Sequence, residues 1–123
     1  VCLLGDIDDG DVPALMAAAE LFCLPSTDRA EAFGVAMLEA MAMGRPVVCA
    51  RIAGSGVPWL NRDGETGLVV PPADARALAG AMGQLLADPA RAAAMGQAAR
   101  RRYEQGFRVE QMEDATLALY RSL

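Results

Sequence analysis

Histidine does not occur in this 123-residue chain, and only 22% of its residues carry charge. Its three cysteines, Cys2, Cys23 and Cys49, each lie inside a separate short apolar run. That scatter offers no metal-ligand cluster, so no metal site is expected. An odd number of thiols in apolar surroundings reads as buried, reduced cysteine of a cytosolic protein, not as a disulfide framework. Long hydrophobic runs are missing too: no stretch approaches a membrane span, and no secretory leader is expected. Excess positive charge is also lacking. The net charge of -5 and the pI near 4.6 argue against nonspecific binding of nucleic acid or an anionic membrane by the chain as a whole. One acidic loop, DIDDGD at 6–11, faintly resembles a calcium loop. Its spacing fails the EF-hand pattern, because Ala17 stands at the closing Glu position.

What is present is apolar. A hydrophobic content of 54% argues for a packed unit, read as a single domain over residues 1–123. The chain opens at VCLL, in the middle of an apolar run with no cap, and so reads as a fragment of a longer protein. Four short apolar runs predict buried strands: Val1 to Leu4, Leu21 to Leu24, Pro46 to Ala50 and Gly67 to Val70. Helices are predicted between and after them. Asp11 is placed as the cap of a helix from Val12 to Glu20, with Pro13 in its first turn. A second helix spans Phe33 to Met43 and stops at Gly44. A short helical turn surrounds Trp59. Asp74 caps a helix to about Ala87, Asp88 caps the next to about Gln105, and an amphipathic helix closes the chain from Val109 to Leu123. Strands alternating with helices mean a parallel α/β sheet covered on both faces, whose ligands sit beyond the carboxyl ends of the strands.

The stretch PSTDRAEAFGVAMLEAMAMGRPVVCA, residues 25–50, holds two carboxylates around an apolar helix. A helix beginning near Phe33-Gly34 offers free amides and a positive dipole end to an anion. Gly34 lets a ligand approach the backbone. Glu39 lies five residues further in, roughly 7.5 Å along the axis. A phosphate at the helix start leaves an attached ribose about that far away, where a carboxylate can accept from its paired hydroxyls. Glu31 stands at the mouth, within reach of a group beyond the phosphates. The plainer readings stay open. Glu31 serves equally as a helix-start acid, and Glu39 as the partner of Arg45 or Arg51 in a buried ion pair. Met37, Met41 and Met43 read as core filler, and Trp59 as packing. AGSGVP, residues 53–58, reads either as backbone amides lining a cleft or as a plain strand-to-helix turn. Arg100, Arg101 and Arg102 read most simply as a solvated helix face, with an anionic lipid surface as the alternative.

LFCLPS followed by EAFGVAMLEAMAMGRPVV resembles the E-x(7)-E region of the family-four retaining glycosyltransferases with the GT-B fold. VCLLGDID, GETGLVVPPAD and the terminal helices are similar to further segments of that family, so the resemblance covers nearly the whole chain. It implies an α/β, Rossmann-like parallel sheet of about four strands with flanking helices, a partial GT-B C-terminal domain that binds a nucleotide-diphosphate sugar. By the resemblance, Glu39 holds the ribose hydroxyls, Glu31 contacts the transferred sugar as the catalytic-site acid, and the backbone around Phe33, Gly34 and Val35 meets the diphosphate. Sugar transfer with retention then needs no enzyme nucleophile, no cofactor and no metal, the leaving phosphate taking the acceptor's proton. A glycan or lipid-linked acceptor belongs to an N-terminal domain outside this chain, and the fragment alone is expected to be inactive. The setting implied is bacterial polysaccharide assembly in the cytoplasm, with peripheral association of the parent protein at the inner membrane face left open. Two departures stand out: Trp59 occupies the place of a Glu that the family often carries, and the family's phosphate-binding Arg and Lys are not in this chain. A non-catalytic GT-B-type partner domain and a flavodoxin-like domain remain rivals.

Overall fold

The computed structural model describes residues 1–123. Its elements run α1 (Val12–Ala18), β1 (Phe22–Leu24), α2 (Val35–Ala42), β2 (Val47–Ala50), α3 (Val57–Leu60), β3 (Gly67–Val70), α4 (Ala75–Ala87), α5 (Pro89–Gly106) and α6 (Val109–Ser122). The three strands form one parallel sheet in the order β1-β2-β3, with Leu24 opposite Cys49 and Cys49 opposite Val69. Parallel neighbours require crossovers, and α2 and α3 lie in them.

Side-chain alternation along β2 divides the core. Val47 and Cys49 pack with Met37, Ala40 and Met41 of α2, Val57 and Leu60 of α3 and Ala99 of α5. Val48 turns to the other face, where Val70, Ala81, Leu85 and Met95 join it. The sheet is therefore covered on both sides, as a buried parallel sheet must be. At the end of α3, Asn61 is fully buried and donates to Val47 O of β2 at 3.1 Å and Leu68 O of β3 at 3.3 Å, while Thr66 Oγ1 donates to Asn61 Oδ1 at 2.8 Å. Those bonds meet the requirement that buried polar groups be paired.

Three expectations fail here. Val1 to Leu4 forms no strand, so the sheet has three strands instead of about four. A strand needs a neighbour's ladder, and the run lies exposed with no partner in this chain. Cys2, carried on it, is consequently exposed, whereas Cys49 is buried and Cys23 half-buried. Burial pushes both of the latter thiols above their ordinary pKa. Asp11 makes no side-chain cap to α1: at φ -92°, ψ -19° it already has helical backbone angles, not the extended ones of a capping residue. Asp74 and Asp88 do cap, accepting from Ala77 N at 2.9 Å and Arg91 N at 3.0 Å. No helix is long and apolar enough to cross a membrane.

Candidate functional site

The loops at the carboxyl ends of β1 and β2 meet at the start of α2. Gly34 stands at the N-cap in left-handed geometry, φ 90°, a conformation that glycine adopts without strain. Helix α2 therefore begins at Val35, two residues later than the sequence suggests. Glu31 Oε1 accepts the Gly34 N–H at 2.9 Å, so this acid caps the turn into the helix. The amides of Phe33, Val35 and Ala36 have no acceptor in the chain. With the dipole of α2 behind them, these donors form an amino end that favours negative charge. Glu31 already supplies one negative group there.

The glycine-rich loop is not a free turn. Ser55 Oγ donates to Glu31 O at 2.8 Å, and the Gly56 amide donates to Ala32 O at 2.7 Å. A Cβ on Gly56 would lie 2.8 Å from Phe33 Cδ2, so only glycine lets the two loops come this close. The loop after β2 thus clamps residues 31–33 and sets the position of Glu31 and Gly34.

Glu39 departs from expectation. It is exposed, not buried, and neither Arg45 nor Arg51 pairs with it; the ion pairs of the molecule are Arg62–Glu65, Arg100–Glu104 and Arg108–Glu104. The reason is packing. Met37, Ala40 and Met41 take α2 onto the sheet and α5, leaving a stripe with Val35 and Glu39 facing out. That stripe is one wall of a groove of about 660 Å³ between α1, α2 and the α5–α6 corner. Glu39 is the single carboxylate in an otherwise mainly apolar lining that includes Val12, Met16, Leu38 and Met112. Glu31 opens instead on a polar hollow that it forms with Pro25, Ser26, Thr27, Asp28 and Ala30. The two carboxylates therefore sit on separate concave surfaces, with the start of α2 between them.

An aromatic cluster that sequence reasoning did not assemble supports Phe33. Its ring lies 6.3 Å from Trp59 and 6.5 Å from Phe107, and Trp59 meets Phe107 edge-on at 5.4 Å. Arg102 stands over both Trp59, at 5.3 Å, and Phe107, at 5.4 Å. Its Nε donates to Leu60 O at 2.9 Å and its Nη2 to Trp59 O at 2.8 Å, which satisfies carbonyls at the end of α3. Partial burial, then the nearby Arg62, lowers its pKa without discharging it. Arg102 is thus not part of a solvated face, although Arg100 and Arg101 are exposed. The packing role read for Trp59 holds in part: it meets Phe33 and Phe107 but stays 61% exposed. No sequence signal joins Arg102 to Trp59, since the contact spans 43 residues.

Comparison with known proteins identifies the family and the fold. The family described as Glycosyl transferases group 1 matches residues 1–102. The D-rhamnosyltransferase WbpZ of Pseudomonas aeruginosa is 42% identical over 107 residues, covering 87% of this chain and 28% of that protein. Among solved structures, sucrose-phosphate synthase from Thermosynechococcus elongatus superposes with a TM-score of 0.90 at 38% identity, covering 99% of this chain and 30% of the other. Anabaena Alr3699/HepE, solved in complex with UDP, superposes with a TM-score of 0.86 at 31% identity, covering 92% of this chain and 30% of the other. The chain therefore spans about 30% of the length of the proteins it matches.

Proposed function

The chain belongs to the group 1 glycosyl transferases, and from that premise we propose that it is the donor-binding portion of a retaining GT-B enzyme. Its ligand is a nucleotide-diphosphate sugar, a reading supported by a relative solved with UDP. The observation that carries it is the unsatisfied amino end of α2, with Glu39 on the open stripe about five residues inward. The diphosphate meets the free amides of Phe33, Val35 and Ala36 and takes the Gly34 N–H from Glu31. The ribose hydroxyls donate to Glu39, whose exposure leaves both oxygens available. Glu31, released, turns to the transferred sugar.

The bond from the anomeric carbon to the leaving phosphate oxygen breaks through an oxocarbenium-like transition state. The acceptor oxygen bonds to the same face of that carbon, and its proton passes to the leaving diphosphate. No side chain here needs to act as nucleophile. The acceptor, a glycan or lipid-linked sugar, is held outside this chain, so residues 1–123 alone do not turn the donor over. This reading assigns the reaction no metal, and the chelator arm of the test checks it. We place the protein in the cytoplasm of a bacterium, in glycan assembly.

The test is a thermal-shift and calorimetric panel of UDP-, GDP- and ADP-sugars on the full-length protein, with Glu39→Ala alongside, each run with and without chelator. One nucleotide series stabilises the wild type, Glu39→Ala loses that stabilisation, and chelator changes neither. Stabilisation by none of them would favour a non-catalytic partner domain. Unchanged binding by Glu39→Ala would remove its ribose role.

A further inference from the structure

The one tryptophan of the chain is firmly held and yet largely open. Phe107 meets its ring edge-on at 5.4 Å, Arg102 stands over it at 5.3 Å, and Arg102 Nη2 donates to its carbonyl at 2.8 Å. Even so, most of Trp59 stays accessible. It lines a hollow of about 390 Å³ between the end of α3 and the α5–α6 corner. That volume falls in the range of small-ligand sites, roughly 300–1,000 Å³.

The hollow is cationic in a chain whose net charge is -5. Arg62, Arg101 and Arg102 line it against a single acid, Glu65. Glu65 pairs with Arg62 at 3.2 Å, so two guanidinium groups have no carboxylate to set against them. Arg100, next in the run, pairs with Glu104 at 3.0 Å and does not line the hollow. Gathering the cations costs free energy: partial burial, then the nearby Arg62, lowers the pKa of Arg102. On a plain solvated face the cations spread apart and no such cost arises. Arg102 can leave only by giving up two hydrogen bonds, from Nε to Leu60 O and from Nη2 to Trp59 O. The indole and this guanidinium are therefore presented together at a fixed spacing, a preorganised pair.

Guanidinium groups select the oxygens of a carboxylate or a phosphate. An open indole beside them selects a ring with an apolar face, such as the C–H face of a pyranose. A sugar ring that bears an oxyacid meets both demands, and a concave site encloses one as a flat lipid surface does not. Gly106 and Phe107 line both this hollow and the groove that holds Glu39, so the two concavities share a wall. We propose that the hollow formed by Trp59, Arg101 and Arg102 binds an acidic sugar residue of a saccharide chain, a uronate or a sugar phosphate, and so anchors that chain beside the donor groove. The inference rests on the glycosyl-transfer reading above for the class of its ligand. No bond is made or broken in the hollow: the reacting end of the acceptor lies outside this chain, and the hollow takes a residue further along it.

The experiment is calorimetry on the full-length protein with a trimer of galacturonic acid, its uncharged methyl ester, galactose-6-phosphate and inorganic phosphate. The acid trimer or the sugar phosphate should bind at least about tenfold more tightly than the ester and the bare phosphate. Whichever of the two is tighter identifies the oxyacid. Arg101→Glu reverses the charge of an exposed side chain that makes no ion pair within the chain, and should weaken that binding by more than about tenfold. Trp59→Ala should weaken the charged sugar by about tenfold and leave inorganic phosphate unchanged. Equal affinity for the trimer and its ester would remove the cations from the site, and equal affinity for galactose-6-phosphate and inorganic phosphate would remove the indole; either overturns the proposal. So would binding of no sugar, or binding only to phosphatidylglycerol vesicles, which would make the arginines a membrane contact. The nucleotide diphosphate is titrated in parallel, and its retention by Arg101→Glu separates a lost saccharide site from a lost fold. Failure of the wild type to bind any nucleotide would overturn the donor reading, and the anchoring role with it.

Discussion

The two ends of α2 are built to opposite specifications. At its carboxyl end the backbone closes on itself: Gly44 N donates to Met41 O at 2.9 Å and Arg45 N to Ala40 O at 3.0 Å, with Gly44 at φ 68°, although the side-chain Nε of Arg45 is buried without a partner. That is a Schellman closure, and α5 seals it. Gly96 packs so tightly there that a Cβ would collide with the Gly44 carbonyl oxygen. At the amino end one acid satisfies one amide and three amides stay open. Stability is concentrated where the backbone is closed, and ligand chemistry where it is open. A helix whose unfilled end is held rigid by its filled end presents preorganised donors without having to order them at binding.

The largest effect should come from breaking the closed end. Gly96→Ala forces a methyl into the Gly44 carbonyl, and helix and loop must separate. A destabilisation of about 3 kcal/mol is expected, since overpacking of this kind typically costs 1–3 kcal/mol and backbone yields less than a side chain. Denaturant melts of the purified protein measure it. A loss below about 1 kcal/mol would show that α2 and α5 slide easily, and the contrast between the two ends would collapse.

Gly34→Ala tests the other end and should be milder. The new Cβ sits in a left-handed conformation and 3.0 Å from Met37 Sδ, a flexible neighbour that can give way. Left-handed strain costs about 1–2 kcal/mol, so stability falls by less than in Gly96→Ala. Affinity for the nucleotide diphosphate should fall as well, because the methyl stands beside the open amides. Retained diphosphate affinity, measured by calorimetry, would mean that the helix start is not the anion site.

Much of this layout is legible in the sequence, and the parts that are not have common causes. Gly44, Asp74 and Asp88 follow local rules, and each does what its neighbours in the chain demand. Helix α2 is legible as a helix, but its exposed stripe is not. The helix is apolar nearly all round, so the choice of Val35 and Glu39 as the outward side is made by α5 and the sheet. Glu39 consequently reads as buried when it is open. Arg102 fails for the same reason: a run of three arginines suggests solvent, while the carbonyls it satisfies belong to α3, far away in sequence. Val1 to Leu4 has strand composition, yet no ladder in this chain receives it. Distant partners decide each of these cases.

The sharpest test of the open end is also the smallest in stability. Glu31→Ala removes the acceptor of the Gly34 N–H, a loss worth about 1 kcal/mol by analogy with other helix-start acceptors. Its consequence for binding has the opposite sign from that of Gly34→Ala. Glu31 and a diphosphate are anions competing for one amide in the same field, so removing the carboxylate both frees the donor and lifts a like charge from the site. Affinity for the bare nucleotide diphosphate should therefore rise by a few-fold in Glu31→Ala, although the folded protein is slightly less stable. The full sugar nucleotide should gain less, because the contact between Glu31 and its sugar is lost at the same time. Calorimetry on both ligands reads the difference directly. A fall in diphosphate affinity would mean that Glu31 organises the amides instead of occupying one, and the amino end of α2 would then be as finished as the carboxyl end.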